Sequence, residues 1–150
     1  MATSKFKYYQ GRFTPKNPSK YVGDIKNIIY RSSWELKFLK YCDTSSHVMQ
    51  YGSEEIVIPY KSALDNRIHR YFVDFYVKMR GNDGSITTYL IEIKPSKQTV
   101  PPKKPKRQTK SYLYEVTEYL KNQAKWKAAQ EFCDDRLWKF KILTESELKV

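Results

Sequence analysis

The sequence predicts an α/β protein, with a mixed α+β sheet flanked by helices in one domain covering residues 1–150. Three observations carry that expectation. Two β-rich runs, Tyr71–Met79 and Ile86–Lys94, flank the turn segment Gly81-Asn82-Asp83-Gly84-Ser85, and an Asp-Gly step between such runs signals a hairpin. Upstream, Ser33–Asp43 carries apolar residues at helical spacing, and downstream Ser111–Cys133 does the same. Strands bracketed by amphipathic helices bury their apolar faces by layering.

Composition narrows the class of partner. The 150 residues suffice for one domain with a real core. Lys and Arg total 28 against 16 acids, a formal net charge of +12. That excess points first to nucleic acid and second to an anionic membrane surface. No apolar run approaches the ~20 residues of a spanning helix, and the opening MATSKFKYYQ lacks a signal-peptide core. Cys42 and Cys133 stand alone, and His47 and His69 are the only histidines. Zinc ligation is therefore disfavoured, and reduced thiols in a cytoplasm fit better. Thirteen tyrosines suit a surface both apolar and wet.

Residues 1–30 read as a basic, aromatic arm. Lys5, Lys7, Arg12, Lys16 and Lys20 alternate with Phe6, Tyr8, Tyr9, Phe13 and Tyr21, while Pro15, Pro18, Gly11 and Gly23 argue against long regular structure. Such an arm neutralises phosphates and stacks on bases; the plainer reading docks its aromatics on the core. Ser32 or Ser33 then caps a helix whose first turn holds Glu35, where a carboxylate suits the helix dipole. Glu35 also borders the stripe of Leu39 and Cys42, so it can point toward the sheet. Asp43–Ser46 is a turn, and Val48–Tyr60 reads as irregular chain leading into a strand at Ile56–Tyr60. Pro59 confines that strand to an edge or an end.

The hairpin holds the unusual feature. Alternation puts Val73, Phe75 and Val77 on one face and Phe72, Asp74 and Tyr76 on the other. On the partner run, Leu90, Glu92 and Lys94 share a face opposite Tyr89, Ile91 and Ile93. Asp74, Glu92 and Lys94 thus converge between two apolar faces, where charges are costly unless paired or metal-bound. The loop at residues 96–110 follows, rich in proline and basic residues including Lys103, Lys104, Lys106 and Arg107. It reads as a phosphate-binding flap or, more plainly, a solvated run. The helix after it presents Tyr112, Val116, Tyr119, Leu120, Trp126, Ala129 and Cys133 as an apolar stripe that includes Gln123, and Asp134-Asp135 ends it. Leu137–Leu143 closes the sheet, and residues 144–147 favour a short helical turn.

Val73-Asp74 followed by Glu92-Ile93-Lys94 resembles the PD-(D/E)xK nuclease superfamily, with Val73 where the pattern has proline. Glu35 on the preceding helix matches the glutamate many members carry there. The resemblance implies a restriction-endonuclease-like three-layer core over residues 31–143. It implies Mg²⁺, with Mn²⁺ as alternative, held by Asp74, Glu92 and the Ile93 carbonyl. Lys94 acts on the attacking water or on developing charge, and Glu35 is a further ligand or orienting group. Over its whole length the chain is similar to the head completion nucleases of T-even-type bacteriophages. That similarity implies an endonuclease acting on double-stranded DNA after packaging. The implied protein partners are portal, neck or capsid proteins, in the host cytoplasm during assembly and in the virion. Lys5, Lys7, Arg12, Lys103, Lys104, Lys106 and Arg107 are the expected DNA contacts. Two other readings stay open: a DNA-binding head or neck protein with a degenerate nuclease fold, and an RNA binder.

Overall fold

The computed structural model describes residues 8–150, so Lys5 and Lys7 lie outside the described residues. Its elements in chain order are β1 (Tyr8–Arg12), β2 (Ile29–Ser32), α1 (Ser33–Thr44), β3 (Val48–Ser53), β4 (Val57–Lys61), β5 (Ile68–Phe72), β6 (Phe75–Arg80), β7 (Ile86–Ile93), α2 (Lys110–Arg136), β8 (Lys139–Leu143) and α3 (Glu145–Leu148). A mixed sheet of order β3-β6-β7-β8 forms the centre. β3, β6 and β7 are antiparallel, and β8 lies parallel to β7. A parallel return requires a crossover, which α2 supplies.

Each face of the sheet has its own core. On one, Trp34, Phe38, Leu39 and Cys42 of α1 pack on Val48, Tyr51, Phe75, Val77, Ile91 and Ile93. On the other, Trp126, Ala129 and Cys133 of α2 pack with Ile58, Tyr60, Tyr71, Val73 and Leu90. The expected layering of helix, mixed sheet and helix is present.

Three strand expectations need correction. The strand at Ile56–Tyr60 is not in the central sheet; β4 pairs with β5 in a separate two-stranded ladder. The sheet's place is taken by β3, in a stretch whose pattern reads as irregular. Its Gly52 is the reason that pattern is weak. A Cβ there would lie 2.8 Å from the Val22 carbonyl oxygen, in a segment where the Val22 amide donates to the Tyr51 carbonyl at 2.8 Å. Finally, the run Arg70–Met79 is two strands, β5 and β6, broken at Val73-Asp74.

That break has a definite geometry. Ser53 pairs with Phe75 on one side of it and Val57 with Phe72 on the other. Residues 54–56 therefore oppose only residues 73–74, one extra residue on the first strand. The bulge is bridged by Glu54 N to Asp74 O at 3.0 Å and Val73 N to Ile56 O at 3.1 Å. Glu54 takes a left-handed conformation, φ 56°. Bulges sharpen twist and re-aim side chains. Here the bend turns Val73 into the α2-side core, away from Phe75 and Val77.

The helices shift slightly from expectation. Ser32 caps α1 by accepting from the Glu35 amide at 3.1 Å. Thr109, not Ser111, caps α2, and that helix runs past Asp134-Asp135 to Arg136, where Leu137 (φ 60°) stops it. The phase of α2 is set by Asn122, Trp126, Ala129 and Cys133, all buried. Gln123 and Leu120 are therefore exposed. The helical turn expected at 144–147 is α3, closed by a capping box between Thr144 and Glu147.

One buried carboxylate ties the segment after β1 to the core. Asp43, 2% exposed, accepts from the amides of Lys16 (2.9 Å) and Asn17 (3.0 Å) and from the Tyr51 hydroxyl (3.3 Å). Asp43→Ala leaves those donors unpaired. The expected loss is roughly 3 kcal/mol, a fall in Tm of about 6–12 °C at this chain length. Thermal unfolding followed by circular dichroism checks it, and an unchanged Tm would show that the tie carries no stability.

Candidate active site

The end of β7 and the bend before β6 bring the acidic residues together. Glu92 leaves β7 on the side of Leu90, toward α2, and Asp74 reaches from the bend to the edge of β7. β6 has by then left the ladder, so the Ile93 amide finds another acceptor. It donates to Asp74 Oδ2 at 2.8 Å. Because a strand residue sends its N–H and C=O toward the same edge, the Ile93 carbonyl faces the same gap.

Glu92 is 6% exposed. Its Oε1 accepts from the Tyr71 hydroxyl at 2.6 Å, and its Oε2 lies 3.6 Å from Lys94 Nζ. Lys94 stays close because its amide still bonds the Leu143 carbonyl at 3.0 Å. Glu35 approaches from the first turn of α1, where Oε1 accepts from the Arg31 amide at 3.2 Å. Arg31 in turn pairs with Glu54 on the bulge.

These carboxyls repel one another in a poorly hydrated place. Burial raises the Asp74 carboxyl well above the carboxylate range; Glu92 and Glu35 raise it further, against the Ile93 hydrogen bond and Lys94. Burial also raises Glu92, opposed by Lys94, Tyr71 and Lys125. Glu35 is raised by burial and by Glu54 and Glu92, against Arg31. A nearby cation would lower all three.

The structure thus brings together Glu35, Asp74, Glu92, Ile93 and Lys94. It also adds two residues that the sequence pattern does not single out. Tyr71 bonds Glu92, and Lys125 sits 5.5 Å above the Tyr71 ring. Burial pulls Lys125 below the usual lysine value, with Glu92 acting the other way. The available signal was spacing, since Lys125 lies four residues before buried Ala129 on α2. The expected DNA contacts lie apart. Lys103, Lys104, Lys106 and Arg107 belong to a segment without regular structure, largely open to solvent. Arg12 lines, with Lys16 and Lys40, a depression of about 480 Å³ beside α1 that no residue of the acidic group lines.

The family model described as TnsA-like endonuclease N terminal matches residues 45–145, two of the acidic positions included. The chain belongs to that family. It is also 43% identical over 145 residues to the head completion nuclease of Enterobacteria phage T4, a match covering 94% of each chain. No solved structure matches. Glu35 lies outside the span matched by the TnsA-like model, so its place in the site rests on geometry.

The donor set suits a hard divalent cation. Among the described residues no three His, Cys, Asp or Glu side chains cluster as ligands. Mg²⁺ takes one or two carboxylates and keeps its remaining positions for water and phosphate. Asp74, Glu92 and the Ile93 carbonyl are the residues that could hold such an ion.

Raised carboxyl values fix a sign. The folded protein binds more protons than the unfolded one between the ordinary carboxylate range and the raised values, so these groups make stability fall as pH rises through that window. Asp74→Asn removes one charge, yet its amide oxygen still accepts from Ile93. Without metal the variant should be more stable than wild type at neutral pH by about 1 kcal/mol, roughly 2–4 °C in Tm, and the gain should vanish at acidic pH. Paired melting curves across pH check this; a variant less stable at neutral pH would overturn the repulsion account.

Proposed function

We propose that this chain is a divalent-metal-dependent DNA endonuclease of the PD-(D/E)xK type, acting in phage head completion after DNA packaging. The observation that carries the reading is the pair of mutually repelling carboxylates, Asp74 and Glu92, with Lys94 3.6 Å from Glu92. Membership of an endonuclease family and the relative's name support it.

Asp74, Glu92 and the Ile93 carbonyl would hold Mg²⁺, or Mn²⁺ in its place. The bound ion supplies acidification of water and neutralisation of phosphate charge. The chain's own residues do the rest. Ile93's amide occupies Asp74 Oδ2 and Tyr71's hydroxyl occupies Glu92 Oε1, so Asp74 Oδ1 and Glu92 Oε2, the latter beside Lys94, are the oxygens that would take the ion. Lys94, partly buried, sits where a phosphate oxygen or the attacking water must come; as the ammonium it orients that water and offsets developing charge, and as the free amine it takes the water's proton. Glu35, fixed by Arg31, adds a ligand or an orienting group on the α1 side. Arg12, with Lys103, Lys104, Lys106 and Arg107, supplies phosphate contacts to double-stranded DNA. Basic residues among the first 30 add charge to the nuclease domain, whose core Phe13, Tyr21 and Ile28 join. Portal, neck or capsid proteins are the fitting partners, in the host cytoplasm during assembly and then in the virion.

Plasmid nicking with Mg²⁺ tests the enzyme. Glu92→Gln and Lys94→Ala should each lower the rate by roughly 10²-fold or more. Only Glu92→Gln should also lose the rise in Tm that Mg²⁺ gives wild type. Wild-type protein that binds DNA but never nicks it would favour the non-catalytic head or neck protein.

The DNA interface has its own test. Replacing Lys103, Lys104, Lys106 and Arg107 together should flatten the log–log salt dependence of duplex affinity, by about 0.9 for each phosphate no longer neutralised. An unchanged slope would remove this loop from the interface.

A further inference from the structure

Beside Lys94 a cleft of about 260 Å³ opens between α2 and the segment that leaves β7. Its outer wall is preformed. The Ser96 amide donates to Glu145 Oε1 at 2.8 Å, the Thr99 hydroxyl to the Ser96 carbonyl at 2.6 Å, and Pro101-Pro102 follows. Its two sides differ in charge. Lys94 and Lys97 line one side, while α2 contributes Glu118, Tyr119 and Asn122 to the other.

Asn122 is the unusual member. It is 6% exposed, yet its amide has no hydrogen-bond partner among the described residues, although it lines the cleft. The Trp126 indole nitrogen is fully enclosed without a partner among the described residues, but the Asn122 amide is not sealed in that way. It meets the cleft, where its donor and acceptor are available to a ligand.

The ligand's chemistry follows from the two walls. Phosphate suits the lysines and is repelled by the carboxylate of Glu118. A neutral ring with amine and carbonyl groups suits the α2 wall, because amides pair with base edges and glutamate accepts from an exocyclic amine. Tyrosine faces stack on unpaired bases. We infer that this cleft holds one unpaired nucleotide of the DNA strand, its phosphate toward Lys94 and Lys97 and its base between Tyr119, Asn122 and Glu118. The inference rests on the nuclease reading and deepens it, since the cleft begins at Lys94 and sets the substrate as DNA with an unpaired nucleotide beside the cleavage point. That nucleotide comes from a single-stranded end or from a base extruded out of a duplex.

Fluorescence anisotropy without divalent metal tests it, using labelled duplexes that are blunt, carry a short cytosine or thymine overhang, or contain an internal mismatch. Wild type should bind the cytosine overhang roughly tenfold more tightly than the blunt duplex. A similar preference for the mismatch marks extrusion as a further source of the nucleotide, and its absence restricts the site to strand ends. Asn122→Ala and Tyr119→Leu should lose most of the preference while keeping blunt-duplex affinity. Glu118→Gln, at a partly exposed position, should shrink the advantage of cytosine over thymine; it decides the matter if Asn122→Ala fails to fold. Equal wild-type affinity for blunt, overhang and mismatched DNA, or full preference in all three variants, would overturn the inference. Because metal is absent, these outcomes are independent of cleavage. Nicking without the preference sinks only the cleft, and the preference without nicking sinks only the nuclease.

Discussion

One hydrogen bond organises the acidic end of the sheet, the one from the Ile93 amide to Asp74 Oδ2 at 2.8 Å. It exists because the β6–β7 ladder stops at Phe75 and Ile91, leaving the next amide on that edge without a backbone partner. Buried amides do not stay unpaired. The Asp74 side chain completes the ladder where the backbone bends away, and in doing so it lands beside Glu92. The extra residue at 54–56 produces that bend, and Arg31–Glu54 links the bulge to the helix that carries Glu35. A local irregularity of the backbone is thus the source of the site.

The electrostatics run in opposite directions at two scales. At the surface the chain is strongly basic, with a formal charge of +12. A field of that sign draws polyanions toward the protein. Inside, the order is reversed: burial raises the proton affinity of three carboxyls, and Glu92 adds to the rise at Asp74 and at Glu35. Lys94 and Lys125 flank the acidic group without neutralising it. A cation at the acidic point with a phosphate drawn to the basic surroundings would be the division of labour that phosphodiester hydrolysis needs.

The acidic group therefore works against the stability of the fold. The carboxylates cost stability where they meet, and the surroundings offset part of that cost through Tyr71, Ile93 and Arg31. Elsewhere a buried carboxylate does the opposite. Asp43 is fully engaged by backbone amides and the Tyr51 hydroxyl, so it fastens the fold. The difference is one of donors. Asp43 takes three N–H and O–H donors with no second carboxylate beside it among the described residues, whereas Asp74 has one such donor and the charge of Glu92 nearby.

Much of this was legible in the residues. Alternation along Ile86–Lys94 and the Asp-Gly turn fixed which side chains share the face of Glu92, because a strand's period of two leaves no freedom once pairing begins. Helical spacing placed Glu35 at the border of the α1 stripe, and the Glu-x-Lys pattern put Glu92 and Lys94 on one face. The same logic failed at Val73 and at Gln123. A bulge resets the alternation without any residue announcing it, and a shift of one position on α2 exchanges Gln123 for Asn122. β3 was hidden because Gly52 answers to the Val22 backbone, a contact between distant segments. Sequence alone determined the strands, helices and charged residues available, since local periodicity and composition are properties of the chain. Only the tertiary structure decided that Asp74 meets Glu92, that Tyr71 and Lys125 stand over them, and that Asn122 opens into a cleft, because each depends on where one backbone ends its pairing and another packs across it.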